Sequence, residues 1–339
     1  MSRLDKIDLK LLTILEENAR QTLSQIAKKL KTSQQVVSYR LKSLEKRGIM
    51  GGYYTIINLT KSGYTNYRIM LRLSNINEEK HKEIISYLLE HPNVLWLVDC
   101  GGRWDLLVNF TARNVIHFNK ILQNLKNKFP EQIQNYDILT TIEVTYFGRD
   151  YFTKRTREIK HLPYFGREEE INIPDKTNLQ ILNLISENAR MNSVKISQKI
   201  KVSPNTVILR LKEMKKSGLI QGFKPLIHLE STSFSGYKAL VKFQNITEQK
   251  EREIQNYLKI NINVVGTIKL IGLWDFEIEF ETETKEEMLE LTRAFRDHFK
   301  EVIKEFEVIP LFHEYKYNFF PRDLLESAAT YKKQLSLTP

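Results

Sequence analysis

Between residues 4 and 47 the apolar positions recur every three or four residues, the spacing that lays a stripe along one helix face. Leu9, Leu12, Ile14 and Leu15 mark a first helix, Ile26, Ala27 and Leu30 a second, and Val37, Leu41 and Leu44 a third. Ser24 and Ser33 stand where N-caps are expected, which places the second and third helices at 24–31 and 33–47. Gly48 then provides a left-handed stop, and GGYYTIINL reads as a short strand.

Beyond residue 64 the pattern changes. RIMLRLS reads as a strand, NEEKHKEIISYLLEHPN as a helix, and VLWLVDC and DLLVNFT as strands joined through Gly101, Gly102 and Arg103. VIHFNKILQNLKNKF is a further helix and YDILTTIEVTYF a closing strand. The order βαββαβ predicts a ferredoxin-like domain.

The whole pattern then returns 170 residues later. More than a third of the first 49 positions are identical at that offset without a gap, including the tetrapeptide at Glu17–Arg20 and Glu187–Arg190 and the Arg-Leu-Lys at Arg40 and Arg210. The match continues through Tyr67 and Tyr237, Asn75 and Asn245, Asn93 and Asn263, Trp104 and Trp274, and Phe129 and Phe299. We therefore expect an α+β chain of two tandem units. Each has a helix-turn-helix domain (1–60; 174–230) followed by a ferredoxin-like domain (64–147; 234–320), with a connector at 148–173. In the second unit Ser203 and Pro204 supply the cap and first turn of its third helix.

Composition sharpens this picture where charge is concerned. The chain of 339 residues carries a formal charge of +11. Residues 1–60 hold eleven Lys and Arg against five Asp and Glu, and residues 171–230 ten against four, while the ferredoxin-like regions together are slightly acidic. Positive charge concentrated in the two matching helical pieces points to a polyanionic partner. A lone Cys100 excludes an intrachain disulfide and any Cys-rich zinc site, and reads as a small buried side chain. No apolar run is long enough to cross a membrane and the first residues lack a secretory core, so the expected location is the cytoplasm. No metal-ligand spacing, phosphate-binding loop or Ser/His/Asp order is present, and neither metal nor cofactor is expected.

A short helix, a tight turn and a second helix with a polar, basic face is the construction that enters the major groove of double-stranded DNA. On the third helix that face carries Ser33, Gln34, Gln35, Ser38, Tyr39, Arg40, Lys42 and Arg47; on its counterpart it carries Ser203, Asn205, Thr206, Arg210 and Lys212. Gln reads adenine, Ser bonds several bases, and Lys or Arg holds phosphate or guanine. Arg40 and Arg210 suit phosphate contact or bracing of the helix equally well. Ser38 and Tyr39 become Ile208 and Leu209, so unequal half-sites are expected. A second constellation, Gly102, Trp104 and Asp105 with Gly272, Trp274 and Asp275, suits either a small-ligand turn or a turn between strands.

The segments DKIDLKLLTILEENAR, SQIAKKLKTSQQVVSYRLKSLEKRGIMGGY and GGRWDLLVNF resemble the leucine-responsive/AsnC (feast/famine) transcription regulators, over almost the whole chain and twice. The resemblance implies a winged or simple helix-turn-helix joined to a ferredoxin-like effector domain that self-associates, within the chain and between chains, and binds amino acids or related metabolites. It would place the effector turns at 102–105 and 272–275. Single-copy members are the rule, so the duplication builds the family's dimer inside one chain; Pro310 and Leu311 replace the family-like Thr140 and Thr141, which puts the second ligand site in doubt. Siroheme decarboxylases resemble the same family, pair two unlike copies, and use histidines and basic groups for the tetrapyrrole. Here the histidines at 81, 91, 117, 161, 228, 298 and 313 do not repeat at the 170-residue offset, and the expectation is a regulator rather than an enzyme.

Overall fold

The computed structural model describes residues 4–157, 162–166 and 170–325. The first helical head contains α1 (Lys6–Glu17), α2 (Leu23–Leu30) and α3 (Gln34–Lys46), and ends in strand β1 (Met50–Ile57). Leu11, Leu12, Leu15, Ile26, Val37 and Leu44 close its core, as the helical stripes require. The cap of α2 is Thr22, not Ser24: Thr22 and Gln25 form a reciprocal capping box, and Ser24 lies inside the helix. The Thr-x-x-Gln spacing that signals this was present in the sequence. Ser33 caps α3, and Gly48 turns the chain at φ +67°.

The first ferredoxin-like unit comprises β2 (Thr65–Leu73), α4 (Glu78–Glu90), β3 (Val94–Cys100), β4 (Leu106–Ala112), α5 (Val115–Lys128) and β5 (Ile133–Tyr146). A short β6 (Tyr164–Gly166) pairs with the end of β5. The second copy follows as α6 (Lys176–Glu187), α7 (Ser193–Ile200), α8 (Pro204–Lys216) and β7 (Ile220–Ile227). It continues through β8 (Ser235–Phe243), α9 (Glu248–Ile260), β9 (Val264–Ile271), β10 (Phe276–Thr282), α10 (Lys285–His298) and β11 (Ile303–Tyr317).

Strand alternation decides which residues face which layer. Tyr67, Ile69 and Leu71 on β2 pack under α4 and α5, while Arg68 and Met70 point to the opposite face. That face is not left to solvent, because the two sheets close on each other. β5 pairs with β2 as far as Thr140 and with β9 from Thr140 onward; β11 pairs with β8 as far as Leu311 and with β3 beyond it. The result is an eight-stranded ring in the order β2-β4-β3-β11-β8-β10-β9-β5, with four strands from each copy and no free edge between them.

The heads are joined separately. β1 and β7 form an antiparallel ribbon with Met50 opposite Ile227 and Ile57 opposite Ile220, positions related by the repeat. Asn58 N–H donates to the Leu219 carbonyl and His228 N–H to that of Ile49, both at 2.9 Å. What sequence reading treats as a connector is wired into this frame: Tyr151 and Phe152 are buried in the first head's core, and Arg157 donates to the Val264 carbonyl at 2.8 Å and pairs with Asp150 at 2.8 Å. Residues 158–161 and 167–169 of that connector, and the tail beyond 325, lie outside the described residues.

Candidate functional site

The outward faces of α3 and α8 are built alike and furnished differently. On α3, Gln34, Gln35, Tyr39 and Lys42 are exposed, Tyr39 by 73%, and Ser38 is half-buried. On α8, Asn205 and Lys212 are exposed beside Ile208 and Leu209, which expose 51% and 59% of their surface. Among the described residues, neither helix is covered by the other copy along this face. Ser33 accepts from Val36 N–H at 3.3 Å and Ser203 from Thr206 N–H at 3.0 Å, so both serines serve as caps, and the Thr206 hydroxyl meets that of Ser203 at 2.8 Å.

The arginines act as braces. Arg40 reaches Asp5 and Asp8 at 2.8 Å each, Arg47 reaches Asp8 at 3.0 Å, and Arg210 reaches Asp175 at 2.6 Å. Asp5 also caps α1 by accepting from Ile7 and Asp8 N–H. Burial pushes its carboxyl up, but the backbone bonds and Arg40 outweigh that and hold it below the ordinary range. The start of α1 is thus tied to the middle of α3, which fixes the angle at which the polar face is presented.

The aspartates of the two Gly-Trp-Asp turns are held from within their own copies, while the turns themselves abut the other copy: Gly101 N–H donates to the Pro310 carbonyl at 3.1 Å. Trp104 and Trp274 are buried, and among the described residues neither indole N–H has a hydrogen-bond partner. Asp105 accepts from Leu73 N–H at 2.7 Å and lies 3.6 Å from Arg72; Asp275 accepts from Phe243 N–H at 2.9 Å and from Lys242 at 2.7 Å. Gly102 has φ +90° with open space around it, whereas a side chain on Gly272 would strike Leu139 and the Ile138 carbonyl. Thr140, Thr141, Pro310 and Leu311 lie where β5 and β11 cross between the copies.

A cavity of about 300 Å³ lies elsewhere, between the β1–β7 ribbon and the ring. Sequence reading missed it because its walls come from both copies. A buried ion network flanks it: Arg149 grips Glu281 with two nitrogens at 2.8 and 2.9 Å and Glu16 at 2.6 Å, and Lys224 meets Glu16 at 3.1 Å. The histidines do not converge there as a group. His81 lies on α4, His117 on α5, His298 on α10 and His313 on β11, while His91, after α4, is pushed down to about 4, chiefly by burial. His228 and His313 both approach Glu230 at the cavity rim, at 3.7 and 2.9 Å; His161 lies outside the described residues.

Comparison with known proteins agrees with the heads. The family described as winged helix-turn-helix DNA-binding matches residues 4–49 and again 174–221. An uncharacterised HTH-type transcriptional regulator of Pyrococcus horikoshii is 30% identical over 145 residues, 43% of this chain and 95% of that protein. The HTH-type transcriptional regulator Ptr1 of Methanocaldococcus jannaschii is 30% identical over 119 residues, 35% of this chain and 79% of Ptr1. Among solved structures, the siroheme decarboxylase NirDL aligns over 98% of this chain and 100% of its own, with a TM-score of 0.60 and 11% identity. That likeness extends the shared fold to the whole duplicated chain and speaks to fold alone.

Proposed function

From the premise that this chain belongs to the HTH-type transcriptional regulators, in a tandem leucine-responsive/AsnC form, we propose how its two halves divide the work. α3 reads base edges through Gln34, Gln35, Ser38 and Tyr39, with Lys42 holding phosphate. α8 presents Asn205, Ile208, Leu209 and Lys212 to a second, chemically different half-site. The observation that carries this reading is the uncovered polar face of α3 on a head where positive charge is concentrated.

Arg40, Arg47 and Arg210 enter as positioning residues, since carboxylates of the first helices already hold them. One chain carrying both heads raises the effective concentration of the second at its half-site. A small metabolite acting on the ferredoxin-like ring would bias the placement of the heads, because ribbon and ring share the ion network at Glu16, Arg149, Glu281 and Lys224.

The test is selection of bound duplexes from a random pool, followed by binding against salt. An enriched asymmetric site whose affinity falls steeply with salt supports the reading. Salt-dependent binding with no enriched sequence overturns it. Release of carbon dioxide from siroheme would assign the chain to the decarboxylases whose fold it shares, although the carboxylate-rich cavity suits an acidic porphyrin poorly.

A further inference from the structure

The cavity beneath the ribbon is built from both copies and both layers. Tyr54 of β1 and residues of β7 form one side; Tyr146 of β5, Glu279 of β10, and Glu314 and Tyr317 of β11 form the other. The aromatic wall is continuous. The rings of Tyr54 and Tyr317 lie 4.6 Å apart, and Phe319 backs Tyr54, Tyr146 and Tyr317 at 5.8, 5.7 and 5.3 Å.

The charges around it do not balance. Arg149 is shared by Glu16 and Glu281, and Lys224 is taken by Glu16. Behind them, Arg68 and Lys238 both close on Glu277, and Lys238 reaches Glu279 only at 3.5 Å. With Glu230 at the rim, met by His228 and His313 at 3.7 and 2.9 Å, four Lys and Arg therefore face six carboxyl groups, and Glu314 is the one without an ion pair among the described residues; the Trp96 indole N–H donates to it at 2.7 Å. Burial first, and then the charge of Glu279 working against the Trp96 bond, pushes the Glu314 carboxyl up to about 8. An uncompensated carboxyl beside a weakly paired one, walled by phenol rings whose faces are electron-rich, is complementary to a positive charge.

We propose that this cavity binds a small organic cation, a primary amine or quaternary ammonium, with its nitrogen between Glu279 and Glu314 and against Tyr54, Tyr146 and Tyr317. The volume suits a ligand on the order of ten heavy atoms, at the small end of ordinary binding pockets. Glu279, and Glu314 once ionised, repel carboxylate or phosphate ligands. Because one wall carries the heads and the other belongs to the ring, occupancy couples the two; that consequence rests on the regulator reading, whereas binding itself does not.

The full-length chain, free of DNA, is titrated with phenethylamine, putrescine and choline and with their neutral counterparts phenylethanol, butanediol and dimethylbutanol, following heat and tryptophan fluorescence. At least one amine is expected to saturate and to bind about tenfold or more tighter than its neutral counterpart. Glu314→Gln and, separately, Tyr146→Leu are each expected to weaken it by about tenfold, with circular dichroism unchanged. No saturable binding by any of the three, equal binding of the neutral counterparts, or indifference to Glu314→Gln overturns the site. A chain that binds amine but no duplex leaves the site standing and removes the DNA reading instead.

Discussion

Arg190 of the second copy donates to the Ala19 carbonyl of the first at 2.9 Å, and Arg20 of the first reaches the Ala189 carbonyl of the second in return. Each guanidinium also covers a ring of the ribbon, Phe223 under Arg20 and Tyr53 under Arg190. Ala19 and Ala189 N–H groups complete the exchange by donating to the Phe223 and Tyr53 carbonyls at 2.9 and 3.0 Å. The repeated Glu-Asn-Ala-Arg motif is therefore a reciprocal clamp between heads. Truncating either arginine to alanine should cost about 1–3 kcal/mol in urea unfolding. Burial, and then the Arg190 charge, lowers the Arg20 pKa, so the two arginines repel; each single truncation also relieves that repulsion, and the double variant should lose more than the sum of the singles. A strictly additive cycle would argue against the clamp acting as one unit.

Arg149 is the hub of the buried network, and its guanidinium cannot be removed without leaving Glu16 and Glu281 facing each other. Burial works against its charge, but Glu281 and Glu16 outweigh it and keep the group protonated. Arg149→Met should destabilise the chain by about 3–5 kcal/mol. Denaturant midpoints of wild type and variant check this, and a loss below about 1 kcal/mol would mean that water already solvates the network.

Lys42 and Arg40 lie two residues apart on α3 and should separate cleanly. Lys42→Ala is expected to leave stability unchanged, weaken binding to all duplexes alike, and reduce the salt slope by about 1. Arg40→Ala should instead lower the melting temperature, because Asp8 is buried and loses one of its ion pairs. If Arg40→Ala weakens DNA binding with no loss of stability, its assignment as a brace is wrong.

Ile208 and Leu209 replace Ser38 and Tyr39 at the corresponding places of α8. If they meet thymine methyl groups, Ile208→Ser with Leu209→Tyr should shift the selected second half-site by about 1–3 kcal/mol of base preference while leaving the first untouched. Unchanged selection at both half-sites would show that α8 does not read sequence.

Glu314 makes stability depend on pH in a defined direction. Its carboxyl titrates near 8 in the folded chain against an ordinary value of 4.5, so between those limits the folded state binds more protons than the unfolded state. Stability should then fall as pH rises from about 4.5 to about 8 and level off beyond. Glu314→Gln should flatten that segment and raise the melting temperature at pH 9. Parallel pH profiles for the two proteins would refute the assignment.

Element type and order were legible because their signals are local. Helical stripes, the Ser33 and Ser203 caps and the left-handed stops at Gly48 and Gly218 each depend on residues within a few positions. Asn75 and Asn245 match across the repeat for the same kind of reason: both occupy left-handed backbone, at φ 53° and 51°, which Asn tolerates. The Trp104 and Trp274 turns were visible as motifs, but their ligand and structural readings look identical until burial is known.

By itself, then, the sequence determined two copies of a three-helix head and a βαββαβ unit, with charge concentrated on the heads, since periodicity and composition are properties of consecutive residues. Only the tertiary structure decided that β5 and β11 cross to the other copy and close a ring, that Arg40 and Arg210 are braces, and that Arg149 and Glu314 face a shared cavity. Those outcomes depend on pairing between residues 32 or 35 positions apart for the braces and more than a hundred apart for the ring's crossings, where the alternatives differ in which charges and strand edges find partners rather than in any local preference.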